Sequence, residues 1–207
     1  MRRRRLPRAE RRAQLLSVAT SKFGERGYHP TSMDDIAEAA GVTKPVLYQH
    51  FSSKEDLYIS VIQQVGEVLR ERIDGFAFEA FEGATTYDRV REGIDVFFGV
   101  FDENPNMLKL FFGSEYVTES VQEEVTRATS RAAESVGTLL ARARDLSPEE
   151  AIVVGRTFVT SVQAIARETD GATEERREAM LSSLALLLTG GIRAFDPRDE
   201  KLTQNPE

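Results

Sequence analysis

Between residues 43 and 54 the sequence gathers side chains suited to holding a polyanion: Thr43, Lys44, Tyr48, Gln49, His50 and Lys54. Hydroxyl, amide, imidazole and ammonium groups donate hydrogen bonds to phosphate oxygens and to base edges alike. Upstream, Thr31 and Ser32 offer two more hydroxyls, and Arg2, Arg3, Arg4 and Arg5 form a run of guanidinium groups. Such an arm, with Arg3 and Arg5 as its contacts, lies along phosphates or reaches into a minor groove. A solvated tail is the other reading. Catalysis has no comparable support. Both histidines, His29 and His50, fall in this stretch, there is no cysteine, and no carboxylate–histidine spacing suggests a di-metal bundle. The expectation is therefore no enzyme, no cofactor and no metal.

The net charge of −7 over 207 residues argues at face value against a nucleic-acid partner, but it is unevenly spread. Residues 1–54 hold eleven Lys or Arg against five Asp or Glu, and the remainder holds sixteen against twenty-nine. A basic end can bind a polyanion while an acidic body stays off it. No stretch approaches a membrane span, and the start lacks the apolar core of a signal peptide. The expectation is a soluble cytoplasmic protein with no membrane partner.

Helical periodicity over nearly the whole chain must position these groups. Leu15, Leu16, Ala19 and Phe23 predict a helix over 7–26, stopped by Gly27. Thr31-Ser32-Met33-Asp34-Asp35 is a capping-box-like start, either hydroxyl having an acid three places on, for a short helix over 33–40 that ends at Gly41. A third helix spans about 44–51 with Pro45 in its first turn. Ser52-Ser53-Lys54-Glu55-Asp56 caps a fourth, continuing through Leu57, Val61, Val65 and Leu69. Residues 75–86 read as a bend. Further helices are expected over 87–102, over a short apolar segment with Met107, Leu108, Leu110, Phe111 and Phe112, over 117–143, over 147–168 and over 173–195. No strand pattern competes.

The helices over 33–40 and 44–51 have the size of a helix-turn-helix. Ala37 keeps the inner face slim, Gly41 sits where the chain must turn, and Ile36, Ala40, Val42 and Leu47 form the apolar inside. The outer side carries Lys44, Tyr48, Gln49 and His50. In a major groove such a helix reads bases through its N-terminal residues, here Thr43, Lys44, Pro45 and Val46, and holds phosphates with its flanks. Lys54 with the start of the fourth helix, and the Thr31/Ser32 pair, would clamp phosphates on either side. An ordinary helical hairpin fits the same residue types. However, the run Thr31-Ser32-Met33-Asp34-Asp35-Ile36-Ala37-Glu38-Ala39-Ala40-Gly41-Val42-Thr43-Lys44-Pro45-Val46-Leu47-Tyr48-Gln49-His50-Phe51, followed by Ser53-Lys54-Glu55-Asp56-Leu57, resembles the N-terminal signature of the TetR family of transcription regulators. The likeness covers about residues 8–60, including the Gly-Val turn and the Leu-Tyr-x-His-Phe helix. It implies an all-helical homodimer whose C-terminal domain binds a small ligand and thereby releases or alters binding to a DNA operator.

The fold class expected is all-α: a three-helix DNA-binding head with a helix-turn-helix over 1–53, a helical ligand-binding and dimerisation domain over 54–195, and a loose tail over 196–207. In the body, Ala151, Val154, Phe158, Val162 and Ile165 make one stripe, widened by Ile152, Val153, Val159 and Ala166. Met180, Leu184, Leu187 and Gly191 make another, flanked by Leu181, Leu188 and Ile192. Helices apolar around most of their girth are buried on two sides, which fits a four-helix dimer interface or a single deep core. Eight of the twelve phenylalanines fall between 76 and 112. Phe76, Phe97, Phe98, Phe101, Leu108, Phe111 and Phe112, with Phe158 and Val162 as a far wall, suit a pocket for a hydrophobic small molecule or plain core. Gln163 is a candidate for the ligand's head, with Arg167 and Glu115 further options. The expected function is a ligand-responsive repressor on a palindromic operator. The alternative is a helical dimeric adaptor without sequence-specific DNA binding.

Overall fold

The computed structural model describes residues 6–76, 85–102, 107, 110, 118–144, 146–169 and 171–195. Among them run eight helices and no strand: α1 (Arg8–Arg26), α2 (Met33–Ala39), α3 (Lys44–Tyr48), α4 (Lys54–Asp74), α5 (Thr86–Asp102), α6 (Glu119–Arg144), α7 (Pro148–Thr169) and α8 (Glu174–Arg193). No described helix is long and apolar enough to cross a membrane. The arm with Arg3 and Arg5, the tail, and most of the short apolar segment, Leu108, Phe111 and Phe112 included, lie outside the described residues.

Helix starts follow from hydroxyl–acid pairs three residues apart. Ser32 accepts from the Asp35 N–H at 3.1 Å while the Asp35 carboxylate accepts from the Ser32 N–H at 2.8 Å. Thr85 with Asp88 and Ser147 with Glu150 repeat this reciprocal cap at α5 and α7. Bonds from the cap residue hold all three carboxyls below the usual carboxylate range. Of the two hydroxyls considered for α2, Ser32 is the cap. At the other end of α2, Gly41 takes φ +64°, its N–H reaches the Glu38 carbonyl, and the Val42 N–H reaches that of Ala37. That double bond is the Schellman stop, which a left-handed glycine makes without strain. The helix expected over 44–51 is shorter, ending at Tyr48. The His50 N–H turns to the Leu47 carbonyl as Phe51 swings inward to 1% exposure.

The described residues form two compact units. The first draws on Met1–Glu67 and Glu103–Ala128, the second on Val68–Asp102 and Thr129–Glu207, so α4 and α6 contribute to both. In the first, α2 packs on α1 and α3 on α2 around Leu15, Phe23, Ile36, Leu47, Phe51 and Leu57. In the second, α8 packs on α5 and α7. Arg91 of α5 forks onto Glu178 of α8 and also meets Asp95, while Arg177 of α8 pairs with Asp102 at 2.7 Å. The Arg91 hydrogen bonds hold the Glu178 carboxyl at about 2.

α6 and α7 meet backbone to backbone. A Cβ on Gly155 would stand 2.2 Å from the Ala133 carbonyl oxygen, and one on Gly137 would stand 2.4 Å from that of Ala151. Each helix thus presents an alanine and a glycine four residues apart at the crossing. Gly155→Ala forces the helices apart, and the expected cost is about 1–3 kcal/mol of stability, read as a lower urea midpoint; an unchanged midpoint contradicts the crossing. Glu178 supplies a pH test. Its folded value lies below its unfolded one, so its contribution is complete above about pH 4.5 and is lost as pH falls towards 2. Across that window the wild-type melting temperature is expected to fall more steeply than that of Glu178→Gln.

Candidate functional site

The first unit builds a rigid frame from the turn after α1. Gly27 takes φ +84° and stops α1 with its N–H on the Phe23 carbonyl. The Lys54 ammonium then donates to the carbonyls of Tyr28 (3.0 Å), His29 (3.3 Å) and Thr31 (3.1 Å), and lies 4.2 Å from the Tyr28 ring centroid. Tyr28, Tyr58 and Phe23 pack edge to face or stacked within 6.0 Å of one another. Tyr58 donates to the Leu110 carbonyl at 3.2 Å, and burial pushes its phenol up to about 12. Arg12 joins α1 to α4 through Ser60 at 3.1 Å and lies over the Phe51 ring.

On this frame the outer side of α3 stands in solvent. Thr43, Lys44, Pro45, Tyr48 and Gln49 are exposed, and Val46 and His50 are half-buried. The Lys44 ammonium bonds to Asp34 at 2.9 Å, which raises its pKa. His50 is shifted the other way. Burial first, then the charges of Arg8, Arg12 and Arg11, lower its pKa. Its Nδ1 is buried with no hydrogen-bond partner among the described residues. The face therefore offers hydroxyl, amide and ammonium donors around a helix N-terminus, beside three arginines at the start of α1.

The second unit holds a small apolar cavity of about 40 Å³, partly open to solvent. α5 contributes Arg89, Val90, Gly93, Val96 and Phe97, α6 contributes Val136, Leu139 and Leu140, and α7 contributes Phe158 and Val159. Ile73, Phe76 and Ile192 complete it. On the outside of the unit, Ile152 and Val153 of α7 and Leu186 and Leu187 of α8 are 58–71% exposed.

A family model described as bacterial regulatory proteins of the tetR family matches residues 15–61. The HTH-type transcriptional activator FasR of Mycolicibacterium smegmatis is 39% identical over 159 residues, covering 75% of this chain and 71% of that protein. The chain belongs to the TetR family. A solved TetR-like regulator from Rhodococcus sp. RHA1 superposes with a TM-score of 0.67 at 26% identity, covering 90% of this chain and all of that one. FadR from Bacillus subtilis, solved in complex with stearoyl-CoA, superposes with a TM-score of 0.68 over 87% of this chain and 96% of its own. At 16% identity that likeness shows the fold alone. As a TetR-family member the protein is a DNA-binding transcription regulator, with a helix-turn-helix head and a helical C-terminal domain.

Within the TetR head, two of the expected phosphate contacts bond to backbone carbonyls. Thr31 is 1% exposed, and its hydroxyl donates to the Gly27 carbonyl at 2.8 Å, with the Lys22 carbonyl at 3.3 Å. All three donors of the Lys54 ammonium face backbone carbonyls. Both placements have one cause: the turn after α1 leaves carbonyls that accept from these two side chains. Ser32 is exposed but engaged as the α2 cap. Of the expected pocket residues, Phe76, Phe97 and Phe158 line the cavity. Phe98, Phe101 and Val162 are buried without lining it, Phe98 lying under the Arg177 guanidinium, and Gln163 is half-buried elsewhere on α7. Arg89, which sequence reading did not name, also lies along the cavity, one helical turn before Gly93 on α5. Lys54→Met is expected to lower stability by about 1–2 kcal/mol in thermal unfolding, because it strips the donors from three carbonyls. Weakened DNA binding with unchanged unfolding would instead make Lys54 a phosphate contact.

Proposed function

We propose that the chain acts in the cytoplasm as a homodimer that binds a palindromic double-stranded DNA operator and responds to a hydrophobic small molecule. Residues 1–53 form the DNA-binding part, residues 54–195 bind the effector and dimerise, and 196–207 are a tail. The observation that carries the DNA reading is the solvent-facing set Thr43, Lys44, Pro45, Tyr48 and Gln49 on a buried helix-turn-helix frame. Thr43, Lys44, Pro45 and Val46 meet base edges. Tyr48, Gln49 and His50 hold phosphates, and Arg3 and Arg5 extend the grip. Lys44 exchanges Asp34 for DNA, a small cost for an exposed ion pair.

Two features support the rest. Ile152, Val153, Leu186 and Leu187 leave an apolar face on α7 and α8 that an isolated chain would expose to water, and the same face of a second copy covers it. The apolar cavity suits a hydrophobic effector. Helix α4 carries Lys54 in its first turn and Ile73, on the cavity wall, in its last. A ligand that favours one position of α4 shifts the spacing of the two recognition helices, to the extent that its affinities for the two states differ. Release of the operator then makes the protein a repressor. A second reading, activation, is favoured by the likeness to a protein named as an activator.

A gel shift on DNA upstream of the gene tests the proposal. Retardation is expected at low salt and is lost steeply as salt rises. Leu187→Glu is expected to give monomers in analytical ultracentrifugation and at least a tenfold loss of operator affinity. A folded dimer that shifts no DNA at low salt would favour the adaptor reading. Transcription in vitro from the same DNA separates the two directions: less transcript on adding protein for a repressor, more for an activator.

A further inference from the structure

The first turn of α2 carries two adjacent acids with different tasks, Asp34 and Asp35. Asp35 is spent on the helix start, accepting from the Ser32 N–H at 2.8 Å, with Arg26 at 4.0 Å. Asp34 instead accepts from the Lys44 ammonium, ten residues on, at 2.9 Å. The Lys44 and Asp34 side chains are 50% and 67% exposed. Their bond joins the first turn of α2 to the first residue of α3. It therefore sets a carboxylate among the donors of the face that meets DNA. Stability does not explain that acid, because an exposed ion pair contributes little. Binding strength does not explain it either, because phosphates repel it. What a carboxylate can add on such a face is selectivity.

We propose that Asp34 is a specificity-determining residue, its carboxylate accepting a hydrogen bond from an exocyclic base amino group in the major groove, N4 of cytosine or N6 of adenine. This rests on the reading that the outer face of α3 meets base edges. Guanine O6 and N7, adenine N7, thymine O4 and every phosphate oxygen are acceptors, so each of them repels a carboxylate. The amino groups of cytosine and adenine are the hydrogen-bond donors of that groove. Lys44 has the opposite preference, since its ammonium carries three donors and no acceptor and binds phosphates and acceptor edges alike. Together the two side chains offer an acceptor beside a donor. That is the complement of cytosine N4 beside guanine O6 within one base pair. DNA with no amino group at that place leaves the carboxylate facing acceptors alone, which counts against the wrong sequence.

Fluorescence anisotropy with the full-length protein tests it on two duplexes, one from DNA upstream of the gene and one scrambled at the same length and composition. Asp34→Ala is expected to bind the scrambled duplex about three- to tenfold more tightly than the wild type does, and the upstream duplex no more tightly. The preference for the upstream duplex thus narrows at least about threefold. Single base-pair changes across the upstream site identify the pair that is read. At one C·G or A·T pair, replacement is expected to weaken the wild type at least about fivefold and Asp34→Ala less than about twofold. Melting curves verify that the variant folds. A preference left unchanged by Asp34→Ala, whether both affinities rise equally or neither moves, overturns the role of Asp34 and leaves the DNA face standing. A wild type that binds neither duplex, or both alike, overturns the reading of that face as well.

Discussion

Where α1 ends, the backbone carbonyls of Tyr28, His29 and Thr31 have no helical partners, and a single ammonium, that of Lys54, reaches all three. Unpaired carbonyls at a partly buried turn are costly, and a charged donor is a strong remedy. The clamp ties the end of α1 to the first residue of α4, and the Tyr28, Tyr58 and Phe23 rings pack beneath it. With that turn held, Ser32 can start α2, Gly41 can end it, and α3 can take only one direction. The outer face of α3 is thus set by a contact that touches none of its residues.

The head divides similar side chains between two tasks. Thr31 and Ser32 are neighbours, yet one hydroxyl is buried on a carbonyl and the other caps a helix. Lys44 and Lys54 are both cations, but only Lys44 projects into solvent, where an acid on α2 holds it loosely. His50 combines a buried Nδ1 with three nearby arginines, an environment that lowers its pKa. Donor chemistry alone does not assign these roles; the direction of each side chain does.

In the second unit one pair of helices meets several demands. α7 crosses α6 so closely that only glycine fits at residues 137 and 155. Its neighbouring face supplies Phe158 and Val159 to the cavity, and its outer face leaves Ile152 and Val153 exposed. In the proposed dimer a second copy covers that outer face. The Arg91–Glu178 fork ties α8 to α5, the helix along which the cavity runs.

Helix positions, their caps and the TetR-type head were legible in the sequence because they rest on interactions three to five residues apart. Ser147 with Glu150, Gly41 with Glu38, and the apolar rhythm of Leu57, Val61 and Val65 are written locally. The fate of donors was not. Lys54 meets a carbonyl 26 residues away, Gly155 meets Ala133, and Arg89 shares a cavity with Ile192. The phenylalanine cluster announced an apolar interior, but only packing divided Phe97, on the cavity wall, from Phe98 under a guanidinium. Sequence by itself determined which helices form and that a helix-turn-helix stands at the front, because backbone hydrogen bonding is local. Tertiary structure decided which polar groups remain outward and which side chains wall the cavity, because a side chain bonds to whatever the fold brings nearest.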